Sequence, residues 1–455
     1  MTTSLLLGLI LQAVAVALLF VVFRRSMFRR TGTYLLLAMV VFHGVTELLQ
    51  LASGARSQYR SSIPQHSLDA WYLDIGAACV VYAAAYALVA RRSPAPVTAG
   101  QVARVLTVFD WRVLAVLTAP LVAIVARGGY HVSVAGPVTN FDPTQSGLAG
   151  QFTTLGITLT SISFIARHPR AFVPAFLVEM AAEVLVGQRL DVLTAALATV
   201  VGLAVIGRRV RLRAVVAAAL IAGFVGLSLN AARAQFGRDE YNNATSATAR
   251  LSLIARGSAA LVTGASAKYD NATQPTAIRI DGNTFAAGET AALAGGTRPA
   301  GLGTVVNDAK LAVPSFLAPG KLSTSLADRS EKFALQDHFS LSYSADFIPT
   351  QMGAALGYFG PIGLLFFAGL FAVGFGLVDR AAGRRLTAWT YLLTIGSLIA
   401  ALSYEGTNET YFVTARGVVA AYVLLAGLAW LRTRRSAPRD EHPDLAPERA
   451  ALTPA

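Results

Sequence analysis

The sequence predicts an all-α polytopic membrane protein with eleven transmembrane helices and one large extracytoplasmic loop. Three observations predict it. Of 455 residues, 54% are hydrophobic and only 14% charged, whereas a soluble domain carries roughly a quarter charged residues. Eleven apolar runs approach the roughly 20 residues that a helix needs to cross a bilayer. Arginines flank those runs on alternate connections. The composition also excludes a disordered chain, which needs low hydrophobicity and high charge.

Taken in order, the apolar runs are 4–23, 33–53, 70–90, 113–129, 150–166, 171–187, 190–207, 214–231, 352–378, 386–403 and 412–431. The first resembles a secretory signal only superficially. It has no basic residue before it and ends in Arg24, Arg25, Arg29 and Arg30, the reverse of a signal's charge polarity. It is expected to be a first membrane helix with its N-terminus outside. Between the sixth and seventh runs, Gly187–Arg189 leaves only a very tight outer turn. The lone cysteine, Cys79, lies in an apolar stretch, so no intrachain disulfide is available and the redox compartment cannot be read from it.

Charge gives the orientation. With the N-terminus outside, the cytoplasmic segments are 24–32, 91–112, 167–170, 208–213, 379–385 and 432–455. These hold 22 arginines against six acids, a balance of +16, and everything else carries −3. That asymmetry is the positive-inside pattern. It explains a net charge of +13 and a pI of about 10.2 without nucleic acid, which would need a basic face on a soluble fold.

Four regions follow: membrane helices over 1–231, an extracytoplasmic loop over 232–351, membrane helices over 352–435, and a proline-bearing cytoplasmic tail over 436–455 that reads as disordered. All four lysines (Lys268, Lys310, Lys321 and Lys332) fall in the loop, and a connection of that length usually carries function. Within it, Ala286–Thr304 is rich in Gly and Ala and reads as flexible. Leu322–Phe339 has helical spacing, and Pro349 closes the region.

Ionisable side chains in hydrocarbon are costly, so they pair or line a polar cavity. Here they are Glu47, Asp74, Arg127, Glu179, Glu183, Arg189, Asp191, Glu405 and Arg416. On this topology nearly all lie in the outer half of the membrane, which points to a polar cavity open to the outside. Each taken singly could equally be a buried ion pair or an interfacial anchor. Arg189 and Arg416 suit bidentate phosphate binding, or they snorkel to the interface. Arg279, Arg298 and Arg329 are further cationic candidates in the loop. Asp337 and His338 stand next to the membrane re-entry, where a histidine titrating near neutrality suits general-base work. His43, in mid-helix, is expected to be satisfied between helices. The triplets at Asn243, Asn271 and Asn408 match a glycosylation pattern but decide nothing without the organism. No Walker-type loop, HExxH, CxxC or GxSxG is present, so a nucleotide-driven cytoplasmic machine is not expected, and no metal or cofactor is called for.

At the ninth run the chain reads Asp346-Phe-Ile-Pro-Thr-Gln-Met-Gly-Ala-Ala-Leu-Gly-Tyr-Phe-Gly-Pro-Ile-Gly363. This resembles the segment after the large outer loop in O-antigen polymerases and ligases and in the related oligosaccharide repeat unit polymerases, with Gly357-Tyr358-Phe359-Gly360 at the helix start. Val186-Gly187-Gln188-Arg189-Leu190-Asp191 is similar to the small-residue-then-arginine opening of an earlier helix in the same families. The resemblance covers roughly residues 150–430 in organisation. It implies transfer of a polyprenyl-pyrophosphate-linked glycan to an acceptor glycan on the outer face of the cytoplasmic membrane, within a polysaccharide assembly system. It would place Arg189, with Arg279, Arg329 and Arg416, on the pyrophosphate, and His338, with Asp337 and Glu183, in proton transfer. The families' spaced Arg-x10-Gly pattern is missing from Arg189, Arg279 and Arg329.

Three other readings compete. A metal-dependent transferase using lipid-phosphate sugars would carry an acidic pair in the first outer loop, where 54–69 holds only Asp69. A flippase or exporter of lipid-linked glycans would show inner-half charges or matched broken helices. An assembly subunit would use the loop to bind partners.

Overall fold

The computed structural model describes residues 2–54, 58–91, 99–128, 143–186, 189–208, 210–242, 247–263, 281–313, 331–341, 349–406 and 408–436. Every regular element among them is helical. In chain order these are α1 (Thr3–Phe23), α2 (Thr31–Ser53), α3 (Gln65–Ala90), α4 (Ala99–Val108), α5 (Trp111–Gly128), α6 (Pro143–Arg167), α7 (Phe172–Val186) and α8 (Arg189–Val205). There follow α9 (Leu212–Asn242), α10 (Ala247–Val262), α11 (Asn283–Ala294), α12 (Leu302–Ala312), α13 (Glu331–His338), α14 (Gln351–Arg384), α15 (Ala388–Leu402) and α16 (Glu409–Ser436).

Each of the eleven apolar runs overlaps one of these helices. Thr3–Arg29, Thr31–Ser53, Gln65–Ala90 and Gln351–Arg384 are long and apolar enough to cross a membrane. The pair Gln101–Val108 and Trp111–Ala123, bent by 44°, makes a fifth if it is one span. The apolar stretches Leu155–Arg167, Val192–Val205, Leu212–Ser228, Ala388–Leu402 and Thr414–Leu424 are shorter.

Two large cores organise the bundle. Helices α1, α2, α3 and α14 close around Leu19, Leu36, Trp71, Ile75, Tyr82 and Ala368. Helices α4 to α9, with α15 and α16, close around Phe109, Ile162, Phe176, Val192 and Ile395. A buried carboxylate ties the first core together. Asp379 accepts the Thr31 and Gly32 N–H groups (3.0 and 3.3 Å) at the start of α2, with the Thr31 and Tyr86 hydroxyls completing its shell. The unsatisfied N–H groups and the dipole of a helix N-terminus favour an anion there.

Two departures from the sequence reading shape the site. Ala286–Thr304 is not a flexible tract: its first part belongs to α11, whose residues Asn283–Thr290 are all buried. Small side chains do not make a segment mobile here; they let backbones approach, as at small-residue helix contacts in membranes. In addition, α9 continues past 231 to Asn242, so helix extends into the segment expected to be loop. Of the expected helical stretch Leu322–Phe339, Glu331–His338 is helical, and 322–330 lies outside the described residues.

Candidate functional site

The site begins with a break in α14. A straight helix of 34 residues would be about 51 Å long, well beyond a hydrocarbon core of about 30 Å. Gly360 interrupts it at φ 71°, ψ −164°, and Pro361 follows. Proline has no N–H to return to the Gly357 carbonyl; the Ala300 N–H takes that oxygen at 2.9 Å, and the Gly301 N–H takes the Tyr358 oxygen at 2.9 Å. The rings of Tyr358 and Phe367 stand 6.0 Å apart across this kink. The kink divides the helix into a short first limb (351–359) and a second limb (361–384).

The loop helix α11 lies along that first limb, in the same direction. A Cβ on Gly282 would meet Thr350 and His43, one on Gly353 would meet Ala286, and one on Gly357 would meet Glu289. Both helices thus start deep among α2, α3 and α15. Asp281 caps α11, accepting the Asn283 and Thr284 N–H groups (2.8 and 3.2 Å) and the Thr284 hydroxyl (2.6 Å). The acid sits at a helix N-terminus, where its charge is stabilised.

Asn283 then joins three elements. Its Oδ1 accepts from Trp71 Nε1 and from His43 Nδ1, each at 2.9 Å, and its Nδ2 donates to the His43 carbonyl at 3.0 Å. That carbonyl lies in a π-helical turn, Val41–Val45, inside α2, a wide turn often found at functional positions. Because Asn283 Oδ1 can only accept, the neutral His43 ring carries its proton on Nδ1. Nε2 is left to accept from the Tyr404 hydroxyl at 2.9 Å. His43 is thus satisfied between helices, as its mid-helix position predicts.

One turn further along α2, Glu47 meets Arg60. The guanidinium donates to Glu47 Oε1 (2.6 Å), to Gln50 Oε1 (2.7 Å) and to the Tyr72 hydroxyl, with Asp281 Oδ2 at 4.0 Å. Arg60 is 8% exposed and Glu47 2%. One guanidinium thus faces two carboxyl groups in this buried cluster.

A second acidic centre lies further along α11. Glu289 and Glu331 are both fully buried. Glu331, the first residue of α13, accepts the Tyr358 hydroxyl. Burial first, and then the Glu331 carboxylate, push Glu289 well above the usual carboxylate range. Leu335, Phe339 and Phe285 form the apolar wall around this pair.

The residues predicted from sequence are distributed unevenly. Asp337 and His338 end α13 and are exposed, and His338 Nε2 donates to the Arg298 carbonyl at 2.7 Å. They flank the wall that Leu335 and Phe339 build. Glu183 is buried on α7, one turn from Glu179, whose Oε1 accepts the Thr199 hydroxyl; its neighbours Met180 and Val184 belong to the other core. Arg416 is half-buried on α16, and Arg189 is the first residue of α8, with its side chain outside the described residues. Arg279 and Arg329 lie outside the described residues altogether.

Sequence reasoning did not single out Arg60, Tyr72, Asp281, Asn283, Glu289 or Glu331, and it named Tyr358 only as part of the motif at the helix start. For α11 a signal existed: Asp281 and Asn283 before Thr284 form a helix-start pattern. No known protein family, no curated protein and no solved structure matches the chain.

Proposed function

We propose that this protein polymerises or ligates polyprenyl-pyrophosphate-linked oligosaccharide on the outer face of the cytoplasmic membrane. The observation that carries the reading is the insertion of α11. A segment placed outside by the arginine pattern enters the helix bundle and brings Asp281, Asn283 and Glu289 to Glu47, Arg60, Trp71 and Tyr358. In this reading the chain crosses the membrane eleven times with the N-terminus outside and the C-terminus in the cytoplasm, as the alternating arginines require. The acceptor hydroxyl attacks the anomeric carbon, and the bond from that carbon to the pyrophosphate oxygen breaks. His338 takes the hydroxyl proton, assisted by Asp337 or Glu183. The departing pyrophosphate is held by Arg189, with Arg279, Arg329 and Arg416 as further cations.

The test is a gel profile of surface glycans from a deletion strain complemented with variants. Arg189→Ala should abolish chain extension while the protein still inserts, and His338→Ala should slow it severely. Wild-type chain lengths from Arg189→Ala would remove that residue from the site, and full activity of His338→Ala would remove the base.

The break in α14 favours a second reading, a flippase or exporter of lipid-linked glycans, because discontinuous helices frame the binding sites of many transporters. Under that reading, membrane vesicles would move the lipid-linked glycan across the bilayer without lengthening it.

A further inference from the structure

The acid on α11 facing the first limb of α14 has no place in the transfer chemistry above. Glu289 is fully buried, and among the described residues neither carboxyl oxygen has a hydrogen-bond partner. The carboxyl lies over a bare stretch of helix: a Cβ on Gly357 would stand 2.6 Å from Oε1, and one on Gly353 would stand 3.8 Å from Oε2. From α13 it is faced by the Glu331 carboxylate and by Leu335 and Phe339. From α14 it is faced by the two glycines, while the Tyr358 hydroxyl is directed to Glu331. The charged residues Asp281, Glu47 and Arg60 belong to the opposite end of α11, where Arg60 is engaged by Glu47. Among the described residues no ion pair reaches Glu289.

An ionised carboxylate enclosed without a counter-charge, and beside another carboxylate, is strongly disfavoured. A neutral carboxylic acid tolerates the same place at far lower cost. We propose that Glu289 is a proton-binding site whose occupancy latches the loop helix α11 onto the first limb of α14, so that loss of the proton to the external medium loosens the outer segment from the membrane helices.

The direction follows from linkage. The docked acid holds its proton to higher pH than the same acid released to water, where it titrates near 4.3. Docking is therefore fully stabilised below that value. It weakens as pH rises, and levels off once the pH passes the raised docked value. Across this range one proton is released per undocking event, so the docking equilibrium falls about tenfold per pH unit.

The experiment is hydrogen exchange of the α11 amides in the full-length protein in lipid nanodiscs from pH 5 to pH 9, corrected for the intrinsic exchange rate at each pH. In the wild type, protection over 283–294 should fall with pH at up to that slope. In Glu289→Gln, which keeps the shape and removes the titration, it should be flat. Glu331→Gln removes the neighbouring charge that raises the docked value, so its fall should be smaller and level off at lower pH. This variant also serves if Glu289→Gln does not fold. Wild-type protection independent of pH, or an equal fall in both variants, would overturn the proposal. Protection that responds to added calcium or to chelator at fixed pH would also overturn it, assigning a metal ion in place of the proton.

Discussion

Replacing Gly357 by Ala tests whether α11 and α13 are seated on the first limb of α14. The new methyl would lie 2.6 Å from Glu289 Oε1, 2.9 Å from Leu335 Cδ2 and 3.2 Å from Phe339 Cε2. Those atoms belong to two elements that close over the limb from different sides, so no single rotamer change relieves all three contacts. Overpacking of this kind costs about 1–3 kcal/mol. Against it stands the gain from replacing a mid-helix glycine, about 1 kcal/mol at most, so the net loss is up to about 2 kcal/mol against the wild type and about 1–3 kcal/mol against a glycine replacement that meets nothing. Gly374, on the second limb, supplies the matched control, since a Cβ there meets nothing within 4 Å. Gly374→Ala keeps the gain and pays no packing cost. Thermal unfolding of both variants, purified in one detergent, reads the difference, with glycan profiling of the same variants in cells. Gly357→Ala should unfold at lower temperature than the wild type, and Gly374→Ala at the same temperature or higher. If Gly357→Ala matched or exceeded Gly374→Ala, the close seating of α11 and α13 would be refuted.

Asp379→Ala should cost several kcal/mol, about 1–3 kcal/mol for each buried donor left unsatisfied, because it leaves two backbone N–H groups and two hydroxyls without their shared acceptor; loss of folded protein on size-exclusion chromatography reads it. Arg60→Gln should destabilise by a similar amount, stranding Glu47 and Asp281, and should expose the outer segment to protease. Adding Glu47→Gln to Arg60→Gln should restore part of that stability, and strictly additive losses would show that the pair is not coupled.

Much of the architecture was legible because the bilayer allows few solutions. A spanning segment must satisfy its own backbone hydrogen bonds, so an apolar run of the right length is a helix, and each such run overlaps one. That ionisable residues within apolar runs would pair was also legible, and Glu47 belongs to a buried ion pair. The partners were not. Arg60 reads as one more loop cation until its ligands from α2, α3 and the α11 cap surround it. Gly357 reads as part of a helix start, and Gly353 as one residue of the stretch before it. Their use as the floor under Glu289 depends on a segment far away in the chain.

The sequence by itself therefore determined what each stretch could be: apolar runs long enough for helices, and an alternation of arginines from which an orientation is expected. Hydropathy and backbone sterics act within a stretch, so they can be read there. Only the tertiary structure decided that the Ala- and Gly-rich start of α11 is buried, that Ala300 and Gly301 take the carbonyls freed at the break, and that two acids come to face each other beside Tyr358. These outcomes depend on which surfaces meet. A small side chain is compatible with solvent or with tight packing until its neighbour is known.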